Sequence, residues 1–309
     1  MKVVTPESIE RALEENIPQL AYVLPTDVEQ ALEQARQHET NRYAAQALDL
    51  LLENANVAAV DSVPLCQDTG TTWVCLEVGP DIVVPGNVFS QVNEGVAHAY
   101  VDGKLRKSVV KDALFNRENT QDNTPAFTDI HFVDEPGVCR LHIMLKGGGS
   151  DNASRVVMLA PGAGRQGIVD EVVKCVREKA ANACPPLVVG GGVGGTFDKV
   201  AGLAKQALMR PVGAPAADAD HAAFEQELLD AINATGVGAA GFGGDTTALT
   251  VRVETAPCHI AALPVAINLG CSAMRRCTID LQPQEIDTLQ QLAALMTSAN
   301  ESEQGACHE

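Results

Sequence analysis

The sequence predicts a mixed α/β fold, with helices and strands interleaved after a helical N-terminal segment. The first sixty residues carry apolar side chains at helical spacing, whereas the rest alternates stretches typical of strands with helical stretches. Such interleaving is typical of α/β proteins and not of all-α proteins. A hydrophobic content of 46% in 309 residues is enough to bury a large core.

The helical N-terminal segment is predicted from its capping residues and its periodicity. Thr5 is a suitable N-cap and Pro6 a suitable first helical residue, so we expect a helix to begin here. Between Asp27 and Asn54, apolar residues recur at helical spacing, which predicts a pair of helices packed through one face.

The remaining elements are predicted from composition and periodicity. The predicted strands are residues 72–78, 138–145, 187–189, 247–254 and 260–269. The predicted helices are residues 88–101, 168–181, 198–209, 224–234 and 283–300. We expect one domain over residues 1–282, or two α/β lobes within it, and a C-terminal helix and polar tail over residues 283–309.

Charge and hydropathy exclude several classes of partner. The formal net charge of −18 argues against nucleic acid, whose binding requires clustered Lys and Arg. No stretch approaches the roughly 20 apolar residues of a membrane span. The N-terminus lacks the apolar core of a secretory signal and is too acidic for a mitochondrial presequence. We therefore expect a cytoplasmic protein.

The nine cysteines are the first residues that suggest chemistry. An odd number of cysteines without an export signal predicts free thiols, most of which are simply small buried side chains. Cys66, Cys184 and Cys271 differ because they lie in Gly- or Pro-flanked segments, where loops often carry ligands. They are far apart in sequence without local CxxC spacing, so the pattern alone leaves both metal binding and packing open.

Two glycine-rich segments raise the alternative of a nucleotide-binding enzyme. Residues 190–195 match GxGxxG between a predicted strand and a predicted helix, but a Rossmann motif also needs a second strand ending in Asp or Glu about 20 residues later. Residues 210–215 are instead a Pro- and Gly-containing loop. Residues 236–241 match too, but follow a helix. We expect the glycines to allow a close approach of the backbone to another surface.

Four motifs occur in an order that resembles a known family. They are CQDTG at 66–70, KGGGSDN at 146–152, NACPP at 182–186 and NLGCSAMRR at 268–276. With the helical N-terminus and GKLRKS at 103–108, the ordered set resembles the class I fumarase and L-tartrate dehydratase family of hydro-lyases over about residues 5–281.

This resemblance implies a 4Fe-4S cluster. The family's three cluster-binding cysteines fall on Cys66, Cys184 and Cys271, in loops at strand and helix junctions. Thiolates are the usual ligands of such clusters. The fourth iron is left without a protein ligand, and an open metal position can act as a Lewis acid on the substrate.

The resemblance also assigns residues on and near CQDTG. It places the acid/base carboxylate at Asp68, although an Asx turn before Gly70 explains the same residue. Gln67 is expected to donate a hydrogen bond to the substrate. Arg106 is expected to bind a substrate carboxylate through its planar guanidinium, with an exposed helix arginine as the alternative.

Further substrate-binding groups are implied outside CQDTG. Gly148 and Gly149 would offer backbone N–H groups to a carboxylate. His259 matches a substrate-binding histidine of the family, but Cys258 precedes it where the family often has Arg. A buried, hydrogen-bonded histidine is the alternative interpretation of His259.

The family's active site is completed by a second unit, which nothing in this sequence resembles. We therefore expect an α subunit with a separate β subunit, assembled as α2β2. Because Ser150 follows the glycines where tartrate dehydratases typically have Cys, reversible hydration of fumarate to L-malate is favoured over tartrate dehydration. A methylated dicarboxylate is a third candidate substrate. The alternative from another functional class is a cluster-dependent sensor of oxygen or iron, or a non-catalytic subunit.

Overall fold

The computed structural model describes residues 1–292 and 294–295, and its helices and strands alternate along the chain. The helices are α1 (Pro6–Tyr22), α2 (Thr26–His38), α3 (Arg42–Asp61), α4 (Val92–Asp102), α5 (Gly148–Asn152), α6 (Gly164–Lys179), α7 (Val200–Ala207) and α8 (Ala219–Asn233). The strands are β1 (Lys2–Val3), β2 (Thr71–Val78), β3 (Ile82–Val83), β4 (Phe127–Phe132), β5 (Cys139–Lys146), β6 (Arg155–Leu159), β7 (Leu187–Gly195), β8 (Ala248–Cys258), β9 (Leu263–Gly270), β10 (Arg275–Asp280) and β11 (Gln284–Glu285). The predicted α/β class and the helical N-terminal segment are confirmed.

The contacts between residues divide the chain into two compact units. The first unit comprises Met1–Tyr22, Cys66–Leu145 and the described residues from Arg275 onward. The second unit comprises Val23–Leu65 and Lys146–Met274. Each unit is therefore assembled from segments that are distant in sequence. The expected single domain over residues 1–282 stays a prediction.

The first unit is built on a four-stranded sheet in the order β10-β5-β2-β4. β10 runs antiparallel to β5, and β2 runs parallel to β4. β2 is almost continuously buried, which explains its apolar sequence. Apolar side chains of α1, α4, β2 and β5 share one core. A short three-stranded sheet, β11-β1-β3, belongs to the same unit.

The second unit is built on a four-stranded sheet in the order β6-β9-β7-β8. β7 runs parallel to β8 and antiparallel to β9, and β6 runs antiparallel to β9. Residues of α6, α8 and the strands form its main core.

The GxGxxG residues lie inside strand β7, which extends well beyond the predicted residues 187–189. A Cβ atom on Gly190 would lie 2.1 Å from the Ala204 carbonyl oxygen, and one on Gly192 would lie 2.4 Å from that of Val200. The expected role of these glycines in close backbone approach is thus confirmed. The residues form no strand–loop–helix turn for a phosphate, so the nucleotide-binding interpretation is not supported here.

Several strands were not predicted from the sequence, and one predicted helix is partly wrong. β4 mixes polar and apolar residues and β10 carries charged residues, so neither has the apolar pattern used for prediction. The short edge strand β6 does have an apolar run, Val156–Leu159, which was overlooked. Within the helix predicted over residues 283–300, Gln284–Glu285 pairs with β1 as a strand. Helical residues begin at 289, and much of the predicted helix and tail lies outside the described residues.

Two expectations concern the whole described chain. Among residues 1–292 and 294–295, no helix has both the length and the apolar character of a membrane span. All eight cysteines in this part of the chain are free thiols, which agrees with the prediction from their odd number.

Candidate functional site

Cys184 and Cys271 lie at the same edge of the sheet in the second unit. Cys184 precedes β7 and Cys271 follows β9, and these strands are antiparallel neighbours in which Val188 is paired with Gly270. The Ser272 N–H donates a hydrogen bond to the Cys184 carbonyl oxygen at 3.0 Å. Two thiol-bearing loops that are distant in sequence are thereby joined directly.

The backbone presents the Cys184 thiol to solvent in an unusual conformation. Cys184 is exposed and has a φ of 54°, in the left-handed region that favours glycine. A non-glycine residue held there is strained, and such strain is concentrated at functional sites. Pro185 and Pro186 follow, and they cannot continue the 3₁₀ turn over Ala180–Ala183. The two prolines therefore restrict the backbone of this loop.

The glycines of KGGGSDN lie at this same edge. They begin α5, whose N-cap is Gly147, and α5 leads into β6, which pairs its first residue, Arg155, with Ile267 near the end of β9. A Cβ atom on Gly149 would lie 3.1 Å from the Asn182 carbonyl oxygen, so α5 closely approaches the residues before Cys184. The structure thus brings Gly148 and Gly149 to the loops of Cys184 and Cys271.

Lys146 is a buried residue of the site to which the sequence analysis gave no role. Its side chain is only 2% exposed, and its Nζ donates to the Leu269 carbonyl oxygen at 2.7 Å and to Ser150 Oγ at 3.0 Å. Burial lowers the pKa of Lys146, while Asp151 and Cys271 act in the opposite direction. The lysine connects α5 to the end of β9, two residues before Cys271. Its only sequence signal is its place at the start of KGGGSDN.

In the first unit, the Cys66–Gly70 loop precedes β2. The Asp68 N–H lies 3.4 Å from Cys66 Sγ and donates to it. Asp68 Oδ1 in turn accepts a hydrogen bond from the Gly70 N–H at 3.0 Å. The Asx turn predicted for Asp68 is confirmed. Backbone donors to sulfur also tune iron–sulfur clusters, so the loop geometry suits a cluster ligand.

Gln67 and Arg106 contact each other on the exposed side of this loop. Arg106 Nη1 donates to Gln67 Oε1, and the Thr69 hydroxyl donates to the Arg106 carbonyl oxygen. Arg106 is exposed and lies in a non-helical segment after α4, so its interpretation as a helix arginine is wrong. The structure thus brings together Gln67 and Arg106, two predicted substrate-binding residues.

The buried side of the loop is held by Tyr100 and Asn123. The Tyr100 hydroxyl donates to the carbonyl oxygens of Thr69 at 2.9 Å and Gly70 at 3.2 Å. Asn123 Nδ2 also donates to the Gly70 carbonyl oxygen at 3.0 Å. Burial raises the pKa of Tyr100 to about 12, so the phenol keeps its proton for these bonds. Both residues escaped the sequence analysis, because a Tyr on a helix and an Asn in a loop are common everywhere.

His259 is placed away from Cys184 and Cys271. It lies between β8 and β9 and follows Cys258, which pairs with Gly195 at the far end of β7. The length of the eight-residue strand β9 separates this end from Cys271, roughly 25 Å at about 3.3 Å per residue. His259 is exposed, so its interpretation as a buried histidine is wrong. Its substrate-binding role stays a prediction.

The exposure of the thiols distinguishes the candidate ligands from the buried cysteines Cys75 and Cys139. Cys184 is exposed and Cys66 and Cys271 are partly exposed. Burial raises the pKa of Cys75 to about 12 and that of Cys139 to about 11, which makes these thiols poor ligands. The donor set fits a group that binds thiolates at accessible positions, as an iron–sulfur cluster does.

Comparison with known proteins agrees with this arrangement. A family model described as fumarate hydratase (Fumerase) matches residues 10–280. A putative L(+)-tartrate dehydratase subunit alpha from Methanocaldococcus jannaschii is 41% identical over 263 residues, which cover 83% of this chain and 91% of that one. The L(+)-tartrate dehydratase subunit alpha of Escherichia coli K12 is 29% identical over 259 residues, covering 83% and 85% of the two chains.

The match to the family model spans all four motifs, from the Cys66–Gly70 loop to the segment around Cys271. The relatives are similar over most of their own length and over 83% of this chain. The chain therefore belongs to the fumarate hydratase (Fumerase) family and is a hydro-lyase.

Proposed function

We propose that the chain is the α subunit of a 4Fe-4S hydro-lyase that reversibly hydrates fumarate to L-malate. The observation that carries the proposal is the hydrogen bond between Ser272 and Cys184, which joins two accessible thiol-bearing loops at one sheet edge. A packing role explains neither the exposure of Cys184 nor its left-handed backbone.

The cluster ligands in this proposal are Cys66, Cys184 and Cys271. When bound, the cluster would supply a Lewis acid that polarises the hydroxyl group lost or gained by the substrate. The support in the chain itself is the chemistry of the donors, namely accessible sulfur atoms and a backbone N–H directed at Cys66 Sγ.

The remaining site residues would bind and orient the dicarboxylate. Arg106 would hold one carboxylate through its guanidinium, steadied by the contact with Gln67. Gly148 and Gly149 would donate backbone N–H groups. Asp68 would take or give the proton at its carboxylate, from a position that its Asx turn to Gly70 defines.

Fumarate and L-tartrate are the two candidate substrates. The family description names fumarate hydratase, and Ser150 follows the glycines, which favours fumarate. L-Tartrate is the second candidate, because relatives at 41% and 29% identity carry the name tartrate dehydratase. Both are small dicarboxylates, so the same Arg106 and glycine contacts would serve either.

We also propose a separate β subunit, an α2β2 assembly and a cytoplasmic location. The support for the partner is that the relatives of similar length are named subunit alpha. The β subunit would complete the catalytic machinery that this chain lacks.

The decisive experiment is anaerobic purification of the chain together with its partner. We expect bound iron and sulfide, and faster turnover of fumarate than of L-tartrate. A preference for tartrate would select the second substrate. Stable iron binding without turnover of either would favour a non-catalytic subunit, and an iron-free but fully active complex would refute the proposal.

A further inference from the structure

Arg275, the first residue of β10, is completely buried without a visible counter-charge. Its side chain is 1% exposed and is the largest fully buried side chain in the described part of the chain. Its Nε and Nη1 atoms find no hydrogen-bond partner among residues 1–292 and 294–295. A guanidinium is always protonated in proteins, so a full positive charge is buried here.

The start of β10 lies at the edge of the sheet where β2 begins. Arg275 pairs with Leu145 at the end of β5, and β5 is the neighbour of β2. The Gly79 N–H, directly after β2, donates to the carbonyl oxygen of Val138, directly before β5, at 2.8 Å. The end of β5 and the start of β2 therefore share one edge, which follows the Cys66–Gly70 loop.

Tyr100 contacts this loop from its buried side. Its hydroxyl donates to the carbonyl oxygens of Thr69 and Gly70. Burial raises the pKa of Tyr100, and the positive charge of Arg275 acts against that rise. On the exposed side of the same loop, Arg106 contacts Gln67.

A buried charge without partners is costly, because it has lost its hydration and gained no compensating contact. Native proteins accept this cost where a bound group supplies the missing charge or hydrogen bonds. Since the Nε and Nη1 atoms of Arg275 find no hydrogen-bond partner among the described residues, the missing partner is expected to be an anionic group bound at the Cys66–Gly70 loop.

We propose that the buried charge of Arg275 stabilises the anionic, thiolate-ligated cluster at Cys66, from the end of the sheet that the Cys66–Gly70 loop enters. The inference rests on the proposed function. Three thiolates make the bound cluster a net anion, and hydrogen bonds and nearby charges are known determinants of cluster properties. The substrate dicarboxylate is a second source of negative charge, and the test distinguishes the two.

The test compares the full-length chain with Arg275→Met, Arg275→Lys and a matched control, Arg140→Met. Arg140 pairs with Asp280 at the opposite end of the same two strands and is partly exposed. Thermal unfolding is followed by circular dichroism on the cluster-free chains. Each chain is then reconstituted anaerobically with iron and sulfide, and the loss of iron to a chelator is timed.

We expect the cluster-free Arg275→Met chain to melt at or above the temperature of the unaltered chain, because a buried charge without partners has been removed. Its iron should be lost about 10- to 100-fold faster, the range typical when a residue that supports a metal site without binding the metal is removed. Arg275→Lys keeps the charge and should recover part of this loss. Arg140→Met should behave like the unaltered chain.

Each contrary result has a distinct meaning. A lower melting temperature of Arg275→Met with unchanged iron loss would show a purely structural residue. Unchanged iron loss with weaker binding of L-malate would assign the charge to the substrate, and both outcomes overturn the inference. Failure of the unaltered chain to take up iron would refute the proposed function and this inference together. If Arg275→Met aggregates, the neutral and polar Arg275→Gln replaces it.

Discussion

At the scale of single residues, the cysteines of the described chain differ in what surrounds the sulfur atom. Cys175 is buried and donates to the Ala153 carbonyl oxygen at 3.4 Å, and burial raises its pKa. Cys184, by contrast, is exposed and directly follows the 3₁₀ turn Ala180–Ala183. Because only the thiolate binds metal, the accessible thiol is suited to ligation and the buried thiol to packing.

Substitution of Cys184 by Ser tests this distinction. Because the side chain is exposed, the melting temperature of the cluster-free Cys184→Ser chain should change little. Its iron content after anaerobic reconstitution should fall several-fold, since one of three protein ligands is lost. Cys258→Ser is the control, because Cys258 is also exposed but lies at the opposite end of β7 from Cys184. Equal iron contents in the two variants would contradict the assignment of Cys184.

At the scale of elements, an ion pair between β2 and β5 predicts a pH dependence. His142 Nε2 lies 3.2 Å from Glu77 Oε2, and both side chains are largely buried. The hydrogen bond from His142 holds the pKa of Glu77 below its usual value, although partial burial acts in the other direction. A carboxyl group whose pKa is lower in the folded state than in the unfolded state stabilises the fold at pH values above its unfolded-state pKa. This contribution is lost as the pH falls through the folded-state pKa.

Glu77→Gln should therefore be less stable than the unaltered chain at pH ~6, and the difference should shrink at pH ~3. The melting temperatures of the two chains at the two pH values provide the measurement. Glu135→Gln, which removes an exposed carboxyl group near the same sheet, is the matched control. A difference that stays constant between the two pH values would show that the ionisation of Glu77 has no part in it.

The packing of α7 on β7 gives a second prediction for elements. A Cβ atom on Gly190 would collide with the Ala204 carbonyl oxygen at 2.1 Å, so Gly190→Ala should lower the free energy of unfolding by about 1–3 kcal/mol or more. Gly202, on α7 itself, has open space around its Cα, and Gly202→Ala should raise that free energy by about 0.5–1 kcal/mol. Denaturant unfolding measures both changes. The packing argument requires that the two substitutions change the free energy of unfolding in opposite directions, and changes in the same direction would refute it.

At the scale of the whole molecule, the chain carries a net charge of −18 although its proposed substrate is an anion. Arg106 is the exposed cation at the Cys66–Gly70 loop, where it contacts Gln67. A guanidinium that grips a carboxylate at short range outweighs a diffuse and screened field. In the proposed function, substrate binding would therefore depend on local cations such as Arg106 and not on the overall charge.

The isolated chain should bind a cluster but turn over fumarate poorly, because the proposed β subunit supplies the rest of the catalytic machinery. The measurement is the rate of fumarate hydration by the anaerobically reconstituted chain, before and after the partner is added. A large increase on addition is expected. Full activity of the chain alone would refute the proposed division of the active site.

Much of the fold follows from local sequence patterns. The helices α1 to α4 and the strands β2, β5 and β9 could be predicted, because helical periodicity and β-branched runs depend on neighbouring residues only. The candidate ligands were selected by ordered family motifs, since nothing in their spacing chose Cys66, Cys184 and Cys271 among nine cysteines.

Only the tertiary structure decided which of these motifs meet. The antiparallel pairing of β7 with β9 joins Cys184 to Cys271 and moves His259 to the other end, and strand pairing is not a local property. Burial is equally non-local, so no local sequence pattern predicted that Lys146 and Arg275 would lie inside the protein. The family and its candidate ligands are thus determined by sequence, whereas the buried charges depend on how distant segments fold together.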